Sequence, residues 1–153
     1  MSRASEVIGK LSGKTLATAE SCTGGGIGEA LTAIPGSSAV YVGGVISYVN
    51  EIKTSVLGVS PEILDRYGAV SAQVAAEMAA GVRKLCNADI AVSVTGLAGP
   101  GGDEFGNPVG TVYIGYADHC CTVTQHYLFG GNREAVRTQA VEAALELILQ
   151  NNA

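Results

Sequence analysis

The chain has 153 residues, a net charge of −5 and an apolar share of 47%. This length and composition suit a single domain with one hydrophobic core and exclude a disordered chain. The 14 Asp and Glu against 9 Lys and Arg argue against a sequence-independent nucleic-acid binder, although a few well-placed donors could still hold one phosphate.

Helix and strand signals alternate over the first two-thirds of the chain. The predicted helices are 4–12, about 24–33 with Thr23 as its cap, 51–57 with Asn50 as its cap, a short helix opened by Ser60-Pro61, 72–86 capped by Ser71, and 133–150. The predicted strands are 15–19, 44–49, 89–95, 109–117 and 122–129. This order predicts a three-layer α/β/α domain with a mixed, mainly parallel sheet.

Residues that would indicate a membrane, a secreted protein or a metal are lacking. No stretch approaches the roughly 20 apolar residues of a membrane span, and the first six residues do not resemble a signal peptide. The cysteines show no C-x-x-C spacing, and neither histidine is spaced with them as in a zinc site. We therefore expect free thiols and no metal or organic cofactor. Free thiols are typical of a cytoplasmic protein, which we also expect. These residues are Cys22, Cys86, Cys120, Cys121, His119 and His126.

Two glycine-rich loops, 20–28 and 95–103, follow predicted strands. Ligand sites in open α/β sheets lie at the carboxyl ends of strands, so these loops are candidates for one site, although glycines can also serve only as turn formers. The dinucleotide pattern G-x-G-x-x-G fails because Glu29 holds its sixth position, and a Walker loop is absent.

Ser21 stands where the first strand meets its helix, a place where backbone N–H groups can stabilise an oxyanion. A base could come from Tyr48, which ends a strand, and from Lys53, one turn into the next helix, because burial lowers the pKa of a lysine. The alternative is a surface lysine beside a sheet-edge tyrosine. His119 and His126 are poor bases, since both lie away from the two loops.

Three other groups are open to two interpretations. Cys22 is a rival nucleophile or a buried apolar residue, and we expect only one of Ser21 and Cys22 to face the cleft. Arg133 and Arg137 share a helix face and could hold a phosphate or pair with nearby glutamates. Asp103-Glu104 is a weak metal signal because no third ligand accompanies it.

Six blocks of sequence together resemble the CinA C-terminal domain family. They are Ala19-Glu20-Ser21-Cys22-Thr23-Gly24-Gly25, Ser47-Tyr48-Val49-Asn50-Glu51-Ile52-Lys53 with Leu57-Gly58-Val59, Gly68-Ala69-Val70-Ser71, Thr95-Gly96-Leu97-Ala98-Gly99-Pro100, Pro108-Val109-Gly110-Thr111-Val112, and Phe129-Gly130-Gly131-Asn132-Arg133. The blocks occur in family order over roughly residues 5–150.

The resemblance implies a nicotinamide-nucleotide amidase in its stand-alone form. It implies that nicotinamide mononucleotide is hydrolysed to nicotinate mononucleotide and ammonia, with Ser21 as nucleophile and with roles for Tyr48 and Lys53.

On this hypothesis, neutral Lys53 and Tyr48 remove the proton of Ser21, and backbone N–H groups of 23–25 stabilise the oxyanion. Thr95 or Arg137 would contact the phosphate. The predicted substrate-binding residues are Thr23, Gly24, Gly25, Asn50, Thr95, Gly96, Gly99 and Arg137.

Two other functions fit the same residues. One is a non-catalytic nucleotide-binding module, and the other is a hydrolase of another small amide or ester. The expected partner is a small nucleotide rather than nucleic acid or membrane, and a homo-oligomer is left open.

Overall fold

The computed structural model describes residues 1–153 and contains one five-stranded sheet in the order β2-β1-β3-β4-β5. The strands are β1 Leu16–Glu20, β2 Tyr41–Ile46, β3 Ile90–Gly96, β4 Thr111–Ala117 and β5 Thr122–Leu128. β1 lies between β2 and β3 and pairs in parallel with both, whereas β3–β4 and β4–β5 are antiparallel.

The predicted mixed α/β fold is confirmed, but parallel pairing is less dominant than expected. Two of the four strand pairings are antiparallel. The segment between β3 and β4 returns without a helix, and the turn between β4 and β5 is too short for a crossover, so both connections require antiparallel neighbours.

Helices cover both faces of the sheet, as a three-layer domain requires. They are α1 Arg3–Lys10, α2 Gly26–Thr32, α3 Asn50–Leu57, α4 Pro61–Tyr67, α5 Ala72–Leu85 and α6 Arg133–Gln150, with a single 3₁₀ turn at Ser37–Ala39. One core joins Leu16 of β1 to α1, α2 and α6, and a second core joins Ala17 and Ala19 to α3, α4 and α5. Alternation along β1 thus supplies both cores.

The caps predicted at Ser60 and Ser71 are found, and Asn132 caps α6 without having been predicted. The side chains of Ser60, Ser71 and Asn132 accept hydrogen bonds from the first turns of α4, α5 and α6. The bounds of α6 agree with the prediction. None of the helices is long and apolar enough to cross a membrane.

The second strand begins three residues earlier than predicted and ends at Ile46 rather than Val49. Gly43 has a φ of +142°, and a Cβ at Gly44 would collide with Thr18 of β1. The two glycines therefore lie inside the strand instead of marking its start: Gly43 permits the positive φ, and Gly44 permits the close approach of β1. Ser47 and Tyr48 follow the strand and are free to turn toward the site.

The predicted caps at Thr23 and Asn50 are wrong. α2 begins at Gly26, after Gly25 in the left-handed region, and Thr23 donates its hydroxyl to Glu20 instead of capping the helix. Asn50 is the first residue of α3, whose cap position is Val49.

Candidate active site

A cleft of about 310 Å³ opens at the carboxyl ends of β1, β2 and β3. Parallel strands end at the same edge of a sheet, so the segments that follow them meet there. Seven predicted site residues line the cleft: Ser21, Tyr48, Asn50, Lys53, Thr95, Gly96 and Gly99. The structure therefore brings the two glycine loops and the start of α3 together, although they are far apart in the sequence.

Ser21 and Lys53 form a direct contact in this cleft. The Nζ of Lys53 lies 3.2 Å from the Oγ of Ser21. The same Nζ donates to the backbone oxygens of Ser47 at 2.7 Å and Tyr48 at 3.2 Å. When Lys53 is neutral, these two carbonyls can hold its two N–H bonds, which leaves the lone pair for the hydroxyl of Ser21.

Burial makes Lys53 a weaker base than an ordinary lysine. Its side chain is only 1% exposed, and loss of hydration lowers the pKa of Lys53 from 10.5 to about 8. A substantial fraction of the amine is therefore neutral at mildly alkaline pH, the form that can accept a proton.

Cys22 also lines the cleft, in contrast to the expectation that only one of the two neighbours would do so. Both residues follow the last residue of β1, so the alternation of side chains along a strand no longer applies. Burial raises the pKa of the Cys22 thiol to about 11. The thiol thus stays protonated near neutral pH, which makes it a poor nucleophile.

The turn that carries Ser21 is held by a buried carboxylate that the sequence prediction did not assign. Glu20 is 2% exposed. Its Oε1 accepts from the Thr23 hydroxyl at 2.6 Å and the Ile27 N–H at 2.8 Å, and its Oε2 accepts from the Gly28 N–H at 3.0 Å. A carboxylate at this helix end satisfies N–H groups that lack helical partners. The sequence feature that could have indicated this role is an acidic residue a few positions before a predicted helix start.

Arg137 lies behind this turn rather than along the cleft. Its Nε donates to the Cys22 oxygen at 3.0 Å and its Nη2 to the Thr23 oxygen at 3.2 Å. The predicted contact between Arg137 and substrate is therefore not supported, since its guanidinium is engaged by the backbone. Thr23, Gly24 and Gly25 also fall outside the cleft lining.

Arg133, one helical turn before Arg137, lines the cleft instead. It donates to the Gly99 oxygen at 2.7 Å and to the Tyr48 hydroxyl at 3.1 Å. The Tyr48 side chain is 58% exposed and its hydroxyl bonds Arg133 rather than Ser21. A relay from Ser21 through the Tyr48 hydroxyl is therefore not seen, whereas the backbone oxygen of Tyr48 contacts Lys53.

The charge of the cleft is opposite to that of the whole protein. Lys53 and Arg133 are its only charged lining residues, and no carboxylate lines it, although the net charge of the chain is −5. Such a surface favours an anionic ligand. The Thr95 hydroxyl donates to the Ala69 oxygen at 2.8 Å, at the wall of the same cleft.

The histidines and the other candidate groups lie elsewhere. His119 bonds Arg83 and Asp89, and the ring of His126 stacks on that of Tyr113. Asp103 accepts from the N–H groups of Phe105 and Asn107 within its own loop. All four cysteines are free thiols.

Comparison with known proteins agrees with the resemblance seen in the sequence. The family model of the CinA C-terminal domain matches residues 2–151. The chain belongs to the CinA C-terminal domain family. A CinA-like protein of Thermosynechococcus vestitus is 52% identical over 138 residues, which are 88% of this chain and 33% of that protein. The chain thus spans about a third of the length of that curated relative.

Solved structures of the same superfamily share the fold. A CinA superfamily protein from Escherichia coli superimposes with a TM-score of 0.95 at 38% identity, covering 97% of this chain and 88% of that one. The competence/damage inducible protein CihA from Agrobacterium tumefaciens has a TM-score of 0.95 at 40% identity, with coverages of 99% and 94%. The mixed open sheet of this chain is therefore the fold of the CinA superfamily.

Proposed function

We propose that this protein hydrolyses the carboxamide of nicotinamide mononucleotide, giving nicotinate mononucleotide and ammonia. The observation that carries the proposal is the 3.2 Å contact between the Nζ of buried Lys53 and the Oγ of Ser21. A serine beside a desolvated lysine is an arrangement suited to nucleophilic attack on an amide. The substrate itself is suggested by the family resemblance, and the cationic lining of the cleft fits its phosphate.

The first half of the reaction forms an acyl-enzyme. Neutral Lys53 takes the proton of Ser21 as the Oγ attacks the amide carbon, and the carbonyl oxygen becomes an oxyanion. Lys53 then gives that proton to the amide nitrogen, the C–N bond breaks and ammonia leaves. In the second half, water attacks the ester carbon and gives one proton to Lys53. The bond between that carbon and the Oγ of Ser21 then breaks, Lys53 passes the proton to the Oγ, and nicotinate mononucleotide departs.

Of the backbone N–H groups of residues 23–25, only those without an acceptor in the structure are free to donate to the oxyanion. The Gly24 N–H donates to the Ser21 oxygen at 3.1 Å, so it is occupied. The Thr23 and Gly25 N–H groups donate to no backbone oxygen. Of these two, the Thr23 N–H belongs to the peptide that follows Cys22, a cleft residue. We assign it as the principal donor, in a role worth several kcal/mol to the transition state in hydrolases of this type.

Arg133 is the residue we assign to the phosphate. It is the only exposed cation of the cleft lining, and a guanidinium can bind phosphate through two N–H groups. Binding would require Arg133 to exchange its bonds with Gly99 and Tyr48 for the phosphate oxygens. Asn50, Thr95, Gly96 and Gly99 remain proposed contacts to the rest of the nucleotide.

The direct test is turnover of nicotinamide mononucleotide by EDTA-treated protein, followed by mass spectrometry of the product. We expect wild type and Cys22→Ala to be active and Ser21→Ala to lose at least about a thousandfold in kcat, as nucleophile removal commonly does. Activity in Ser21→Ala would contradict the serine mechanism. Binding without turnover in wild type would favour a nucleotide-binding module, and turnover only of other amides would change the substrate.

A further inference from the structure

Arg137 reaches from α6 to the turn after β1 and holds two consecutive carbonyls there. The oxygens of Cys22 and Thr23 lie 3.0 and 3.2 Å from its Nε and Nη2. A guanidinium is planar and offers several N–H groups in a fixed fork, so it can orient two peptide groups at once. A lysine would have to reach both oxygens from one nitrogen on a flexible side chain, so it would fix the two peptide groups less rigidly than the two nitrogens of a planar guanidinium do.

Fixing the carbonyls also fixes the N–H groups of the same peptides. In a trans peptide the C=O and the N–H point in opposite directions. The Thr23 N–H and the Gly24 N–H are therefore directed away from Arg137. The Gly24 N–H meets the Ser21 oxygen, while the Thr23 N–H has no backbone acceptor.

We propose that Arg137 is a positioning residue that orients the Cys22–Thr23 peptide so that the Thr23 N–H can bind the oxyanion. This inference rests on the proposed amidase function. Arg137 touches neither the nucleophile nor the cleft; it acts through the backbone of the residues that follow Ser21. Its effect therefore belongs to the chemical step and not to substrate binding.

Gly24 provides independent evidence that the turn is shaped around this arginine. Its φ is +59°, and a Cβ built on it would lie 3.3 Å from the Nη2 of Arg137. A side chain at this position would need both a left-handed backbone and a displaced guanidinium. The glycine thus permits the close approach on which the two hydrogen bonds depend.

The test compares Arg137→Ala and Arg137→Lys with two α6 controls in steady-state kinetics on nicotinamide mononucleotide. We expect kcat to fall roughly tenfold to a hundredfold in both Arg137 variants, with KM within about twofold of wild type, because misplacing a donor weakens transition-state stabilisation. Thr138→Ala, an exposed neighbour, controls for substitution on α6. Arg133→Ala should instead raise KM.

Two further measurements separate positioning from simple loss of structure. Added guanidinium ion at millimolar concentration should restore part of kcat in Arg137→Ala and have no effect on Thr138→Ala. Hydrogen exchange of the N–H groups of residues 24–28 should be faster in Arg137→Ala than in Thr138→Ala. A normal kcat, or a raised KM as the only change, would overturn the inference.

Failure of the proposed function gives a different pattern. If wild type does not turn over the nucleotide, the amidase proposal fails, and the hydrogen-exchange comparison alone decides whether Arg137 orders the turn. Unchanged exchange in both Arg137 variants would overturn the positioning role in that case. Faster exchange would retain it for whatever chemistry Ser21 performs.

Discussion

At the scale of single residues, the site depends on one lysine whose protonated form is destabilised by burial. Lys53 is placed by α3 so that its Nζ meets two backbone oxygens and the Ser21 hydroxyl. An exposed lysine would be protonated at neutral pH and could not act as a base. Burial of this one side chain thus links the packing of α3 to the proposed role of Ser21 as nucleophile.

The pH dependence of turnover should report the titration of Lys53. The reaction needs the neutral amine, so kcat/KM should fall about tenfold per pH unit below the Lys53 pKa of about 8 and level off above it. Measurement from pH 7 to 10 avoids titration of the substrate phosphate. A rate that was still rising at pH 10 would point to the Cys22 thiol, whose pKa is raised to about 11, and a flat profile would contradict a lysine base.

At the scale of the secondary-structure element, α2 depends on a carboxylate from the strand before it. Glu20 ends β1 and binds the N–H groups of Ile27 and Gly28 together with the Thr23 hydroxyl. The three glycines at 24–26 leave the loop with little intrinsic preference for its bent path. The hydrogen bonds of the buried carboxylate therefore fix a loop conformation that the glycine-rich sequence does not favour by itself.

We expect Glu20→Gln to destabilise the protein by about 2–3 kcal/mol. The amide presents an NH₂ group where Oε1 or Oε2 now accepts, so at least one N–H of the α2 end or the Thr23 hydroxyl loses its partner in a buried place. Urea unfolding measures this change. Glu29→Gln, in the same helix but exposed, is the matched control and should stay within about 0.5 kcal/mol; equal stability of the two variants would contradict the role of Glu20.

At the scale of the whole molecule, sheet order brings distant segments to one edge. β1 lies between β2 and β3, so the segments after all three parallel strands converge on the cleft. α6 then closes the site from the other end of the chain, with Arg133 at the rim and Arg137 behind the Ser21 turn. The site is thus assembled from five separate stretches of sequence, because Ala69 and Val70 also line the cleft.

Much of this arrangement could be predicted from local signals. Caps at Ser60 and Ser71 and the apolar runs of β3 and α5 are short-range features, and the ordered family blocks indicated Ser21, Tyr48 and Lys53. The distinction between Arg133 and Arg137 could not be predicted, because both share one helix face and only the packing of α6 decides which reaches the cleft. The same holds for Glu20, whose partners depend on how the glycine turn folds back.

The proposed mechanism requires a covalent intermediate on Ser21, which acid-quenched mass spectrometry of the intact protein and of its peptides can detect. Protein mixed with nicotinamide mononucleotide and quenched within the first turnover should carry the nucleotide acyl group on the peptide that contains Ser21. The adduct should be absent from Ser21→Ala and present in Cys22→Ala. An adduct that survives in Ser21→Ala and disappears in Cys22→Ala would contradict a Ser21 nucleophile and assign that role to Cys22.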